Sequence, residues 1–257
     1  MLNPFNNPEV QEQLSVLFSN LAGDIWATLY STVLATIFAY IIGLPLGILL
    51  VTGEKGGVRP LPGALMKVLN FVINILRSVP FLILMIMAIP LSRLILGTSV
   101  GTNAMIPPLV IAAFPFVARM VESSLREVDR GVLEAATAMG ASPLQIVWKV
   151  LLPEARPSLL TGATTVTITI LGYGAMAGFI GGTGLGATAI NYGYYRTQIV
   201  LEYCAVIALV ILVQIVQTAG TRTAVGSDKR LTKKSRRRGL RDANRQVNRD
   251  RRSPGGM

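Results

Sequence analysis

Apolar residues fill this chain in blocks too long and too free of charge for the core of a soluble domain. The blocks cover about 25–51, 68–96, 105–121, 158–180 and 199–219. Each approaches or exceeds the roughly 20 apolar residues that carry a helix across a bilayer. The pattern therefore predicts an all-α, polytopic membrane protein with five transmembrane helices. Gly43, Pro45 and Gly47, toward the end of the first block, predict a kink or a close helix contact. Pro80 and Pro90 break the second block, and Pro107, Pro108 and Pro115 bend the third. The second block is long enough for its start to run along the membrane surface. Arg77 would snorkel there as an interfacial anchor, or pair with a helix-end carboxylate such as Glu122.

The polar stretches divide the chain into three parts. Residues 1–24, with Glu9, Glu12 and Asp24 but no Lys or Arg, are expected to form an extracytoplasmic N-terminal segment. They lack the basic start and short apolar core of a secretory leader. Residues 25–220 form the membrane body, and 221–257 a basic, disordered cytoplasmic tail. Inside the body, the connection at about 122–157 stands out because its centre is amphipathic. An alanine-rich piece around Glu134-Ala135-Ala136, then Gly140, then a piece closed by Pro153, reads as two short helices hinged at the glycine.

Charge adds an orientation. The net charge is +11, but residues 221–257 hold 13 Lys/Arg against 3 Asp/Glu, so nearly all of it belongs to the tail. Such a tail is expected to lie on anionic lipid, with an acidic partner or nucleic acid as the other options. The 52–67 connection, the 119–156 region and the tail are basic, whereas the N-terminus and residues 97–104 carry no Lys or Arg. Five spans reconcile these with the positive-inside rule, placing the N-terminus outside and the 122–157 connection and C-terminus in the cytoplasm.

Several chemistries are not indicated. The chain has no His and a single Cys204, so it can build neither an internal disulfide nor a Cys/His metal site. No Gly-x-x-x-x-Gly-Lys-Ser/Thr loop occurs, so the chain is not expected to hydrolyse ATP by itself. Gly182-Thr183-Gly184-Leu185-Gly186 follows a membrane block rather than a strand, which argues against a dinucleotide loop. Paired carboxylates within the spans, the mark of a proton-coupled carrier, are missing. No catalytic or metal residues are assigned, and the expectation is a transport protein powered by another subunit rather than an enzyme.

The spacing of the amphipathic connection bears on that power source. Glu134-Ala135-Ala136, three residues, Gly140, nine residues, then Val150-Leu151-Leu152-Pro153 resembles the signature loop of permease subunits of bacterial ABC importers. Val150 stands where isoleucine is commoner in that family. Asn74–Phe81, Pro115–Glu122, Ala138–Pro143, Gly172–Met176, Gly184–Gly186 and Tyr192–Tyr194 further resemble the methionine-importer permeases. The resemblance covers about residues 20–220 and leaves the tail outside.

It implies a homodimer of five-helix subunits, two ATPase subunits carrying ATP and Mg, and an external substrate-binding protein. Glu134, Ala135, Ala136, Gly140, Leu152 and Pro153 would then couple the chain to the ATPase, with the two alanines admitting close approach. Glu134 would meet a basic residue of the partner or cap its own helix. Thr161, Thr164, Thr165 and Thr169 are candidates for a hydroxyl-lined path, though threonine in a membrane helix also bonds its own backbone. Tyr173, Met176 and Phe179 are candidates for the outer part of that path, the last two as a constriction. Two other readings stay open: a permease for another amino acid or small solute, and a membrane-anchored interaction protein acting through its tail.

Overall fold

A computed structural model describes residues 8–227, and among them every regular element is helical. The helices α1 (Pro8–Thr52), α4 (Ile106–Arg126), α8 (Arg156–Met176) and α10 (Ile199–Ser227) each contain a stretch long and apolar enough to cross a membrane. Between α1 and α4 lie α2 (Gly63–Ser78) and α3 (Phe81–Leu96), bent against each other by 108°. At 16 residues each, about 24 Å of helix, neither alone matches a hydrocarbon core of ~30 Å. The expected five spans thus become four long helices plus one bent pair. The break falls at Val79-Pro80: Val79 is extended (φ −75°, ψ 130°), as a residue before proline prefers. Pro90, by contrast, stays inside α3.

Two boundaries differ from expectation. The helix α1 begins at Pro8 and absorbs the segment expected to be separate, because nothing between Glu9 and Asp24 breaks a helix strongly. At 45 residues α1 is about 67 Å long. At the other end, 221–227 continue α10 rather than starting a disordered tail. Ala224 is buried, and Gly220 sits against Thr164 of α8, so this last stretch has a packing partner. The rest of the tail, 228–257, lies outside the described residues.

The centre of the fold is α4, which packs against α1, α2, α3 and α8. Leu109, Ala113, Val117, Val121 and Leu125 follow one another every fourth residue and are all essentially inaccessible. Facing them, α1 presents Ser31, Ala35, Ala39, Gly43 and Gly47 at the same interval, all small and all buried. Small residues at every fourth position let two helix backbones approach closely, and neighbouring i, i+4 ridges then interlock. The close contact predicted from Gly43 and Gly47 is realised. A Cβ at Gly43 would lie 2.6 Å from Val117 Cβ, and one at Gly47 would lie 2.6 Å from Val121 Cβ and 2.7 Å from the Ala118 carbonyl.

The N-terminal half of α1 is fastened, at Asp24 and Thr28, to the segment after α8. Thr188, at the end of α9 (Leu185–Thr188), donates through Oγ1 to Asp24 Oδ2 at 2.5 Å. The Leu185 N–H donates to Thr28 Oγ1 at 3.0 Å. Gly186 fits against Ala175, where an added Cβ would stand 2.2 Å from the Ala175 Cα.

The α1–α4 seam makes a direct prediction. Gly47→Val should destabilise the fold by about 1–3 kcal/mol, the usual cost of overpacking, and lower the melting temperature in detergent. Gly23→Ala, inside α1 at a site with nothing within 4 Å, should not lower it, since alanine is the better helix former.

Candidate functional site

The connection after α4 folds into two helical pieces with a sharp turn between them. The first, α5 (Arg130–Ala138), is capped by Asp129, whose carboxylate accepts from the Gly131 N–H at 2.7 Å. Glu134 is therefore not the cap. It is exposed and forms no ion pair among the described residues. The end of α5 is a Schellman motif: Gly140 N–H donates to the Thr137 carbonyl (2.9 Å) and Ala141 N–H to the Ala136 carbonyl (3.1 Å). That closure requires Gly140 at φ +79°, the left-handed region an L-residue enters only at a cost. The hinge expected at Gly140 is thus a specific turn.

The second piece starts as α6 (Pro143–Ile146) under a capping box. The Ser142 N–H donates to Gln145 Oε1 at 2.9 Å, the Gln145 N–H to Ser142 Oγ at 3.4 Å, and Pro143 takes the first helical position. A widened turn over Val147–Leu151 follows, in which the Leu152 N–H reaches back to the Val147 carbonyl. Pro153 lies in α7 (Leu152–Glu154), which continues the helical run begun at Pro143 and ends one residue after the proline, and only Ala155 separates it from α8.

Burial divides the loop into an inner and an outer side. Ala136, Ile146, Val147 and Leu151 are buried in the main core, with Leu152 and Val150 half-buried against it. Met139, Leu144 and Trp148 point outward with 82%, 69% and 63% of their surface exposed. Of the residues expected to couple, Ala135, Gly140 and Pro153 lie on the outside, while Glu134 is exposed at the edge of the cleft toward Glu54–Val58. Ala136 belongs to the core beneath them, and Leu152 is largely turned toward it.

The path candidates are only partly brought together. Thr161, Thr164, Thr165 and Thr169 line one groove of about 650 Å³ with Gln217 and Thr221 of α10. Each of the four donates its hydroxyl to the carbonyl four residues earlier, so only oxygen lone pairs face the groove. Tyr173 lies outside it, stacked on Phe81 of α3 with ring centroids 3.8 Å apart and planes 8° from parallel. Met176 and Phe179 are also apart from the groove, each about half exposed.

Sequence reasoning missed a polar network at the loop end of α4. Arg119 Nη1 donates to Glu122 Oε2 (2.6 Å), and its Nη2 to Asn70 Oδ1 (2.8 Å) and Asn74 Oδ1 (2.9 Å) of α2. Arg126 Nε and Nη2 donate to Glu122 Oε1 (3.2 and 2.9 Å), while its Nη1 meets Glu54 Oε2 at 2.8 Å. Glu122 is buried, with both oxygens engaged. This corrects the expected Arg77–Glu122 pair: Arg77 is exposed, and Glu122 is already held by two guanidinium groups. The 119/122/126 spacing was the available signal. Nothing local pointed to Glu54. A cleft of about 1030 Å³ opens beside the network, between Glu54–Val58 and the inner side of α5 and α6.

A bundle of apolar helices carrying a capped, two-piece loop with an exposed apolar face is the architecture of a binding-protein-dependent transport permease. Residues 43–233 match the family described as binding-protein-dependent transport system inner membrane component, and the chain belongs to that family. A probable D-methionine transport system permease protein MetI from Vibrio cholerae is 50% identical over 196 residues, spanning 76% of this chain and 86% of that protein. The D-methionine transport system permease protein MetI of Escherichia coli is 46% identical over 158 residues, 62% of this chain and 72% of that one. An inward-facing structure of the MetNI methionine ABC transporter superposes with a TM-score of 0.81 at 42% identity, over 83% of this chain and 98% of its own. An amino acid ABC transporter with a TM-score of 0.63 at 18% identity shares the fold.

The network separates two stabilities. Glu122→Gln leaves two guanidinium groups short of a buried counter-charge and should cost about 3 kcal/mol. Glu54→Gln removes one partner of a half-exposed pair and should cost at most about 1 kcal/mol. Thermal unfolding of the purified variants in detergent checks the contrast.

Proposed function

We propose that this chain is the membrane-spanning permease of an ABC importer for methionine. It works as a homodimer with two ATPase subunits that bind ATP and Mg, and it accepts its solute from an external binding protein. The observation that carries this reading is the Glu134–Pro153 pattern, folded as a two-piece element with Met139, Leu144 and Trp148 exposed on its outer side. A rigid capped helix with an unpartnered apolar face suits a groove in another protein. The names of the relatives support methionine as cargo. The family match covers the membrane body, which favours a permease over an interaction protein acting through the tail.

The orientation follows from the basic segments: N-terminus outside, loop and C-terminus in the cytoplasm. The basic tail would lie on anionic lipid there. The loop hands motion to α4 on one side and α8 on the other, since it joins them directly. The groove of Thr161, Thr165 and Thr169 provides the polar surface of the path, with Met176 and Phe179 farther along the helical path toward the outer end.

The permease, its ATPase subunit and the binding protein, reconstituted in liposomes, should take up labelled methionine only with ATP. Uptake without ATP would refute the ABC assignment. ATP-driven uptake of a different amino acid, with none of methionine, would refute the cargo.

Gly140 tests the loop itself. Gly140→Asn keeps access to the left-handed region and should retain most transport. Gly140→Val should insert normally yet lose transport by about tenfold or more, since β-branched residues are true outliers at positive φ. A Cβ at Gly140 meets nothing within 4 Å, so equal activity in the two variants would show that the turn is not what matters.

A further inference from the structure

The network at the end of α4 joins three parts of the molecule at one carboxylate. Glu122 is buried in α4, Arg119 ties it to Asn70 and Asn74 of α2, and Arg126 ties it to Glu54 just beyond α1. The four charged groups balance. Arg126 is the last residue of α4, and only three residues separate it from the start of α5. Glu54 and Arg126 also line the cleft that Glu134, Thr137 and Ala138 of α5 line from the other side. A displacement of α5 therefore acts first on the Arg126 end of this network.

The two arms of the network differ in strength. The Arg119–Glu122 pair is mostly shielded, with 20% and 11% of the side chains exposed, whereas Arg126 and Glu54 are 45% and 52% exposed. Shielded pairs with every oxygen occupied resist rearrangement, and half-exposed pairs exchange readily with water. We infer that Glu54 and Arg126 are positioning residues for transport: their contact passes movement of the α5–α7 loop to α1, while the Glu122–Arg119 joint holds α2 and α4 together as one body. Neither residue lines the threonine groove. The inference rests on the reading of the loop as the ATPase contact.

The test uses the complete transporter in liposomes and reads methionine transported per ATP hydrolysed. Glu54→Gln should assemble with the ATPase subunit at the wild-type level and still hydrolyse ATP. Its transport per ATP should fall by roughly fivefold, and Glu54→Asp should recover at least half of that loss. Arg126→Lys, which keeps the charge but loses the fork of donors, should fall in the same direction. An unchanged ratio in Glu54→Gln, or loss of ATPase assembly in that variant, overturns the inference. Failure of the wild-type chain to bind an ATPase subunit would instead overturn the reading of the loop.

Discussion

The rest of the structure depends on how closely α1 and α4 approach. Ser31, Ala35, Ala39, Gly43 and Gly47 leave no side chain larger than a hydroxymethyl on one face of α1, and α4 fills that face with Leu109, Ala113, Val117, Val121 and Leu125. Hydrophobic exclusion drives helices together in water but does little between helices in lipid, where packing itself must supply the attraction. A stripe of small residues supplies it, because backbone and side-chain atoms come within dispersion range along the whole seam. The seam fixes more than two helices. It sets the end of α1 beside the end of α4, so that Glu54 can reach Arg126 across 71 intervening residues.

From that end the loop is built outward in layers. Asp129, the Gly140 turn and the Ser142–Gln145 capping box satisfy the free backbone groups of two short helices, which would be unstable alone. Ala136, Ile146 and Leu151 anchor them to the body. What remains outside is an apolar face with no partner among the described residues, on a support whose position is set by α4 and α8. A loop held this rigidly can move those helices; a floppy one would absorb the displacement.

Much of this was legible in the sequence where the signal was local or periodic. The long apolar blocks, the break at Pro80, the small residues Gly43 and Gly47 and the hinge at Gly140 each have a short-range cause. The ends of α1 and α10 were not legible, because residues 8–24 and 221–227 are polar and their helical state depends on continuity and on contacts such as Gly220 with Thr164. The capping box lay in plain view as Ser142, Pro143 and Gln145. The threonine stripe was visible as composition, but the bonding of each hydroxyl to its own helix was not. Glu54 was out of reach, since its role exists only once the α1–α4 seam has formed.

The decisive quantity is whether the exposed face of the loop sits on the ATPase subunit. In a Cys204→Ser background, Met139→Cys and Leu144→Cys can each be labelled with a short photo-crosslinker in the assembled transporter. Both positions should crosslink to the ATPase subunit, while Phe71→Cys on the exposed face of α2 should not. Crosslinking from α2 with none from positions 139 and 144 would contradict this account of how the chain is driven.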